Sequence, residues 1–286
     1  MQELHKRLRE FRERKNVAWE TIEIDYALSW ILAAISQHEK LANNIIFKGG
    51  TALKKCYFGD YRFSEDLDFS EIVTSNNEEL QQDINKVIEI AKTLTNPYGR
   101  FEFELTEHVE KKPHPFNQAA YIIKVQLPWH RRQMTNVKLE ISRDEPVFFK
   151  PNVCSMLHEY GEEIDCKLQV YSLEEIIIEK FRAILQNQER LIKKGWIRSR
   201  VRDFYDLWRI LGQYRSQLET AKIKENFLKK CNLKNIAFAT PEQFFNEEYL
   251  GYVEKDWHEF LGRLLPELPE FDKVVIALKR YAYEIL

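Results

Sequence analysis

Lys48-Gly49-Gly50-Thr51-Ala52-Leu53, followed by Tyr61-Arg62-Phe63-Ser64-Glu65-Asp66-Leu67-Asp68-Phe69-Ser70, is the stretch from which the fold is read. Ile45-Ile46-Phe47 before it is a short apolar strand, the two glycines a turn, and Thr51 to Tyr57 a run of helix formers. From Arg62 to Ser70, Phe63, Leu67 and Phe69 alternate with Ser64, Asp66, Asp68 and Ser70, the period of a half-buried strand. Residues two apart on a strand share a face about 6 to 7 Å apart, so Asp66 and Asp68 can hold a hard cation between them. Magnesium is the natural candidate, and it is completed by substrate phosphates, so a nucleotide is expected as the other half of the site. Gly49 and Gly50 let backbone approach such a ligand, and Thr51 adds a hydroxyl beside exposed N–H groups.

Outward from this block, Leu4, Leu8 and Phe11 recur at helical spacing, and Trp19 to Ile35 reads as a second, more buried helix. A helix is expected over 78–94 and strands over 101–107, 121–127 and 136–142, with a turn over 128–134 bearing His130, Arg131 and Arg132. From Ser172 the chain reads as helical. Ser172-Leu173-Glu174-Glu175 is a capping box before a helix over 176–192, and another helix spans 201–211. The fold class is therefore α/β (α+β). A mixed-sheet domain with N-terminal helices covers 1–165, and a helical C-terminal domain covers 166–286.

A two-metal site needs a further ligand or a base for the attacking hydroxyl. Glu140 is the only inward acid of Lys138-Leu139-Glu140-Ile141-Ser142; an exposed pair with Lys138 is the competing reading, and Asp144 the fallback. In the helical half, Lys180 lies among Ile177, Ile178, Phe181 and Leu185, so its ammonium needs a specific partner, either a substrate phosphate or a nearby aspartate. Asp203 and Asp206 share a helix face, and Arg202 with Asp206 at i, i+4 has the spacing of a surface pair.

Composition removes other classes. The 286 residues carry 43 Lys and Arg against 45 Asp and Glu, so the chain is no globally basic nucleic-acid coat. The longest uncharged apolar stretch, Tyr26 to Ile35, is about half a membrane span, and Met1 to Lys15 is charged throughout. A cytoplasmic chain with no membrane partner is expected. No Gly-x-Gly, P-loop, G-x-S-x-G or H-E-x-x-H pattern is present. Cys56, Cys154, Cys166 and Cys231 lack the spacing of a zinc site or a disulfide framework.

Taken together, the Gly49 to Phe69 block, the Lys-Leu-Glu-Ile-Ser strand, Glu179-Lys180 and Arg202-Asp203-x-x-Asp206 resemble the AbiEii/AbiGii nucleotidyltransferase toxin family, in order from about residue 45 to 210. The resemblance implies a polymerase-beta-like nucleotidyltransferase fold and the toxin of a type IV toxin–antitoxin or abortive-infection system. It implies an NTP donor, a cognate antitoxin, and an RNA acceptor at the 3' end of tRNA. Carried over by position, Asp66 and Asp68 bind metal, Glu140 binds metal or takes the proton, Lys180 contacts the triphosphate, and Asp203 or Asp206 completes the catalytic set. Gly49, Gly50, Thr51, Arg62, Ser64 and Lys180 are the expected nucleotide-binding residues. Thr51 stands where the wider superfamily has serine, and Glu140 where it commonly has aspartate.

Charge is uneven. Residues 182–209 hold eight Lys and Arg against three acids, with Trp196 available to stack on a base, while 239–272 hold nine acids against Lys255 and Arg263. The first stretch suits an RNA backbone or, equally, a solvated helix–loop face, and the second a basic antitoxin or plain surface. Two other functions use the same carboxylates or none: phosphotransfer or nucleotidyl transfer to a protein or small molecule, and a catalytically idle binding partner.

Overall fold

The structure, a computed structural model, describes residues 2–107, 118–132, 135–195 and 199–286. The chain divides into two compact units, one of residues 1–146 with 151–171, the other of 147–150 with 172–286. The first opens with α1 (Gln2–Lys15), α2 (Trp19–Gln37) and α3 (Glu39–Asn44). These lead into β1 (Ile45–Lys48) and a turn of helix, α4 (Gly49–Ala52), which continues as a π-turn over Leu53–Tyr57. Then come β2 (Asp66–Glu71), α5 (Asn77–Thr95), β3 (Glu102–Glu107), β4 (Ala119–Gln126), β5 (Thr135–Ser142), β6 (Asn152–Ser155) and β7 (Lys167–Val170).

Among the described residues the seven strands form one mixed sheet in the order β3-β4-β5-β2-β1-β7-β6. β2 runs antiparallel to β1 and parallel to β5. α2 is buried along nearly its whole length, from Ile22 to Ile35, and packs on α5 and β5. α5 meets it with Leu80, Ile84, Val87, Ile88 and Ala91, the 3.6-residue stripe of an amphipathic helix, and starts at Asn76, whose side chain accepts from Glu79 N.

Three local expectations change. Only Asp66 onward joins the ladder of β2; residues 62–65 lie outside it, with Arg62 buried. The helix after the glycines widens into a π-turn at Leu53. Two short strands absent from the sequence reading, β6 and β7, extend the sheet unit to Tyr171, since β7 pairs with β1 at Phe47 and Val170.

The second unit is helical: α6 (Leu173–Lys194), α7 (Val201–Tyr214), α8 (Thr220–Leu233), α9 (Glu247–Leu261) and α10 (Phe271–Ile285). Ser172 caps α6 by accepting from Glu175 N, and Gly195, with φ +68°, ends it. The expected capping box is only half formed. Glu175 turns away to accept from Phe148 N (2.8 Å), Phe149 N (2.9 Å) and the buried Lys230, which fixes residues 147–150 in this unit. Trp196, Arg198 and the turn residues Gln133 and Met134 lie outside the described residues.

Candidate active site

Register brings the carboxylates together. On β2, Leu67 and Phe69 point into the core, which leaves Asp66 and Asp68 on the other face, half-buried. Antiparallel pairing sets Lys48 opposite Asp68, and parallel pairing sets Glu140 on its other side, with Lys138 beside Asp66. Three acids and two lysines of adjacent strands therefore share one patch of sheet. Burial, then the charge of Glu140, then that of Asp66 push the Asp68 carboxyl up to about 7, against the opposing pull of Lys48 and Lys138. Burial and the two neighbouring acids outweigh the two lysines at Asp68.

The glycines are fitted to this patch. Gly49 has φ +79°, and a Cβ there would lie 2.5 Å from Asp68 Oδ2. At Gly50 a Cβ would lie 2.3 Å from Arg62 Nη2, so the Arg62 guanidinium, 2% exposed, packs directly under the turn. Arg62 Nη1 also donates to Phe63 O (3.2 Å). The Thr51 hydroxyl donates to Asp66 O (2.5 Å), tying the turn to the start of β2. Ser64 is buried beside them in sequence. Gly49→Ala is expected to cost about 1–3 kcal/mol of stability and to slow transfer on the order of a hundredfold, through backbone strain and displacement of Asp68. Parent-like activity in that variant, measured below its melting temperature, would remove the glycine turn from the site.

Glu140 is held aside rather than offered to Asp68. Its Oε1 accepts from Lys138 Nζ (2.7 Å) and from Gln118 Nε2. Lys48, to which the sequence alone assigns no role, donates to Ser142 Oγ (3.0 Å) and pairs with Glu145. Its place immediately before Gly49 was the available signal. Among the described residues no group of three or more His, Cys, Asp and Glu is gathered as a metal cage. The donor chemistry fits magnesium in its usual manner, one or two carboxylates with the rest from phosphate and water, through Asp66 and Asp68.

Lys180, Asp203 and Asp206 come together within the second unit. Lys180 Nζ lies 2.8 Å from Asp203 Oδ1 and 2.6 Å from Asp206 Oδ2, and Arg200 approaches Asp203 at 3.6 Å. Both aspartates are partners of Lys180, and Asp206 is fully buried. Lys180→Met is expected to destabilise the chain by about 3 kcal/mol, because Asp206 is left buried without that cation. Chemical denaturation checks this, with Lys180→Met/Asp206→Asn expected to recover part of the loss; a cost under about 1 kcal/mol for the single variant would contradict it.

The family model described as "Nucleotidyl transferase AbiEii toxin, Type IV TA system" matches residues 30–277. No curated protein matches the sequence significantly. Among solved structures the chain is similar in fold to MenT4, a nucleotidyltransferase toxin from Mycobacterium tuberculosis H37Rv. The TM-score is 0.64 at 18% identity, over 93% of this chain and 84% of that one. Among the described residues no helix is long and apolar enough to cross a membrane.

Proposed function

The chain belongs to the AbiEii family of nucleotidyltransferase toxins of type IV toxin–antitoxin systems, and we propose that it transfers a nucleoside monophosphate from an NTP to RNA, at the 3' end of tRNA, in the cytoplasm. The observation that carries the reading is the fit of Gly49 against Asp68: a backbone turn held open beside a carboxylate that shares its face of the sheet with Asp66 and Glu140.

In this reading an acceptor hydroxyl attacks the α-phosphorus in line; the new P–O bond forms as the bond to the leaving pyrophosphate breaks. Magnesium held by Asp66 and Asp68 supplies charge neutralisation at the phosphates. The Gly49-Gly50 turn admits the phosphates against backbone, and Arg62 beneath it adds fixed positive charge to the turn. Lys48 and Lys138 flank the acids and limit their mutual repulsion. Glu140, level with Asp68, takes the acceptor proton or completes the metal ligands once released from Lys138. The acidic segment 239–272 is assigned to a basic surface of the antitoxin.

The test incubates the protein with magnesium, cellular RNA and each NTP, labelled separately at the α and γ phosphates. The expected result is α label on tRNA-sized RNA. Label from the γ position would make the enzyme a phosphotransferase, and α label on protein or a small molecule would replace the acceptor.

A further inference from the structure

The first unit carries a cavity lined by residues other than the site carboxylates. α1 and the start of α2 enclose about 330 Å³ lined by His5, Arg9, Arg12, Glu13 and Trp19. Three aromatic rings meet beside it. His5 stands edge-on to Trp19 (centroids 5.2 Å) and to Trp129 (5.0 Å), and the two indoles are 6.0 Å apart. Both tryptophans remain partly exposed.

Trp129 belongs to the turn between β4 and β5, and that turn is fastened. The Trp129 indole N–H donates to Glu23 Oε1 (2.6 Å), and His130 Nε2 lies 2.8 Å from the same oxygen. The turn continues into Arg131 and Arg132, which are exposed, as are Arg9 and Arg12 on α1. None of these four arginines forms an ion pair with a described residue. Arg12 spends only its Nε, on Val17 O (3.1 Å). Among the described residues Glu13 is the one acid lining the cavity, against Arg9 and Arg12.

Clustered planar rings beside guanidinium groups that no described acid pairs suit one chemistry. Arginine binds phosphate through a weakly hydrated fork of donors, and indole faces stack on any unpaired base. Duplex nucleic acid hides its bases from such rings, whereas a single strand presents them. The topology relates this surface to the carboxylates. β2 and β5 are parallel with Asp66 opposite Lys138, so the turn that enters β5 at Thr135 lies at the end of the sheet where β2 begins with Asp66. From Thr135 to Lys138 is about 10 Å of strand.

We infer that His5, Trp19, Trp129 and the four arginines form the docking surface for a single-stranded segment of the RNA acceptor, with the arginines on phosphates and the indoles on bases. The inference rests on the proposed RNA acceptor and adds where that acceptor is held.

Fluorescence anisotropy of the full chain with a labelled single-stranded oligoribonucleotide, titrated with salt, tests it. Arg131→Glu/Arg132→Glu and Arg9→Glu/Arg12→Glu, which change exposed residues only, are each expected to weaken binding at least about tenfold. Each should also flatten the salt slope by about 1.4, for two phosphate contacts at roughly 0.7 each. Trp19→Ala should weaken binding about fivefold or more with the slope unchanged. Affinities of both charge-reversed variants within about twofold of the parent would overturn the surface. So would competition by free mononucleotide at the same concentration as RNA, which would mark a nucleotide pocket. A parent chain that labels RNA from α-labelled NTP yet binds no single strand would also overturn the surface and leave the RNA acceptor standing. Failure of the parent both to label and to bind RNA would remove the acceptor reading itself.

Discussion

Asp66→Ala and Asp68→Ala are each expected to reduce nucleotidyl transfer about a thousandfold or more while leaving the sheet unit folded. The activity loss follows from their position. Asp68 adjoins Gly49, and Asp66 stands two residues before it on the same face of β2, so removing either takes away a carboxylate for the cation that neutralises phosphate charge. Retention of fold follows from the core, which β2 supplies through Leu67 and Phe69 on the opposite face. Transfer assayed with α-labelled NTP, beside a thermal melt of each variant, separates the two effects. Parent-like activity in either variant would displace the carboxylate pair as the centre of the chemistry.

Stability should move in the opposite direction from activity at Asp68, and pH shows why. Its ordinary value of 3.8 is pushed up to about 7, first by burial and then by Glu140. Between those values the folded chain keeps a proton that the unfolded chain has released, so stability falls as pH rises across the interval. Above about 7 the ionised carboxylate is carried at full cost. In metal-free buffer Asp68→Asn is therefore expected to stabilise the protein on the order of 2 kcal/mol above pH 7 and negligibly near 3.8, after discount for relaxation around a half-buried group. Added magnesium should raise the melting temperature of the parent and not that of Asp68→Asn. A variant less stable than the parent above pH 7 would make Asp68 a structural residue.

The glycine turn and the strand from Asp66 to Ser70 were legible because their determinants are local, whereas the absence of residues 62–65 from the ladder and the π-turn at Leu53 were not. Glycines mark a tight turn, and a period of two assigns Leu67 and Phe69 to one face and Asp66 and Asp68 to the other. Family resemblance added the toxin reading, which spacing does not contain. What escaped was nonlocal. Asn152–Ser155 and Lys167–Val170 are four residues each with weak alternation, and only their pairing with each other and of β7 with β1 makes them strands. Residues 147–150 belong to the second unit because Glu175 binds two of their amides, a contact no sequence window spans. Lys138 and Glu140 are two apart on one strand, so the sequence showed that they share a face without deciding whether Glu140 turns to Lys138 or to Asp68. Most hidden was Lys55, which in a run reading Leu53-Lys54-Lys55 looks like a solvated helix charge and is 2% exposed.

Breaking the Lys55–Asp25 pair is expected to be the most destabilising change in the first unit. Lys55 stands on the π-turn that continues from Gly49–Ala52, and its ammonium spends all three donors inside the protein. They go to Asp25 Oδ2 (2.6 Å), Asp25 O (3.1 Å) and Ser29 Oγ (2.9 Å), all on α2. Asp25 Oδ2 also accepts from the Tyr160 hydroxyl (2.7 Å). Burial works to raise the Asp25 carboxyl, but Lys55, Lys54 and these hydrogen bonds outweigh it and hold the group below its ordinary value. Burial pulls the Lys55 ammonium below its ordinary value while Asp25 opposes that pull, and in so enclosed a pair removing one partner costs far more than removing both. Lys55→Met and Asp25→Asn should each lose about 3–5 kcal/mol, and Lys55→Met/Asp25→Asn should recover most of that loss. Chemical denaturation of the four proteins gives the coupling directly. Single-variant costs below about 1 kcal/mol, or losses that simply add, would show that the pair does not anchor the turn. Because the same π-turn follows the glycines that face Asp68, the double variant should regain stability yet transfer nucleotide more slowly than the parent: methionine fills the space of Lys55 without tying the turn to α2.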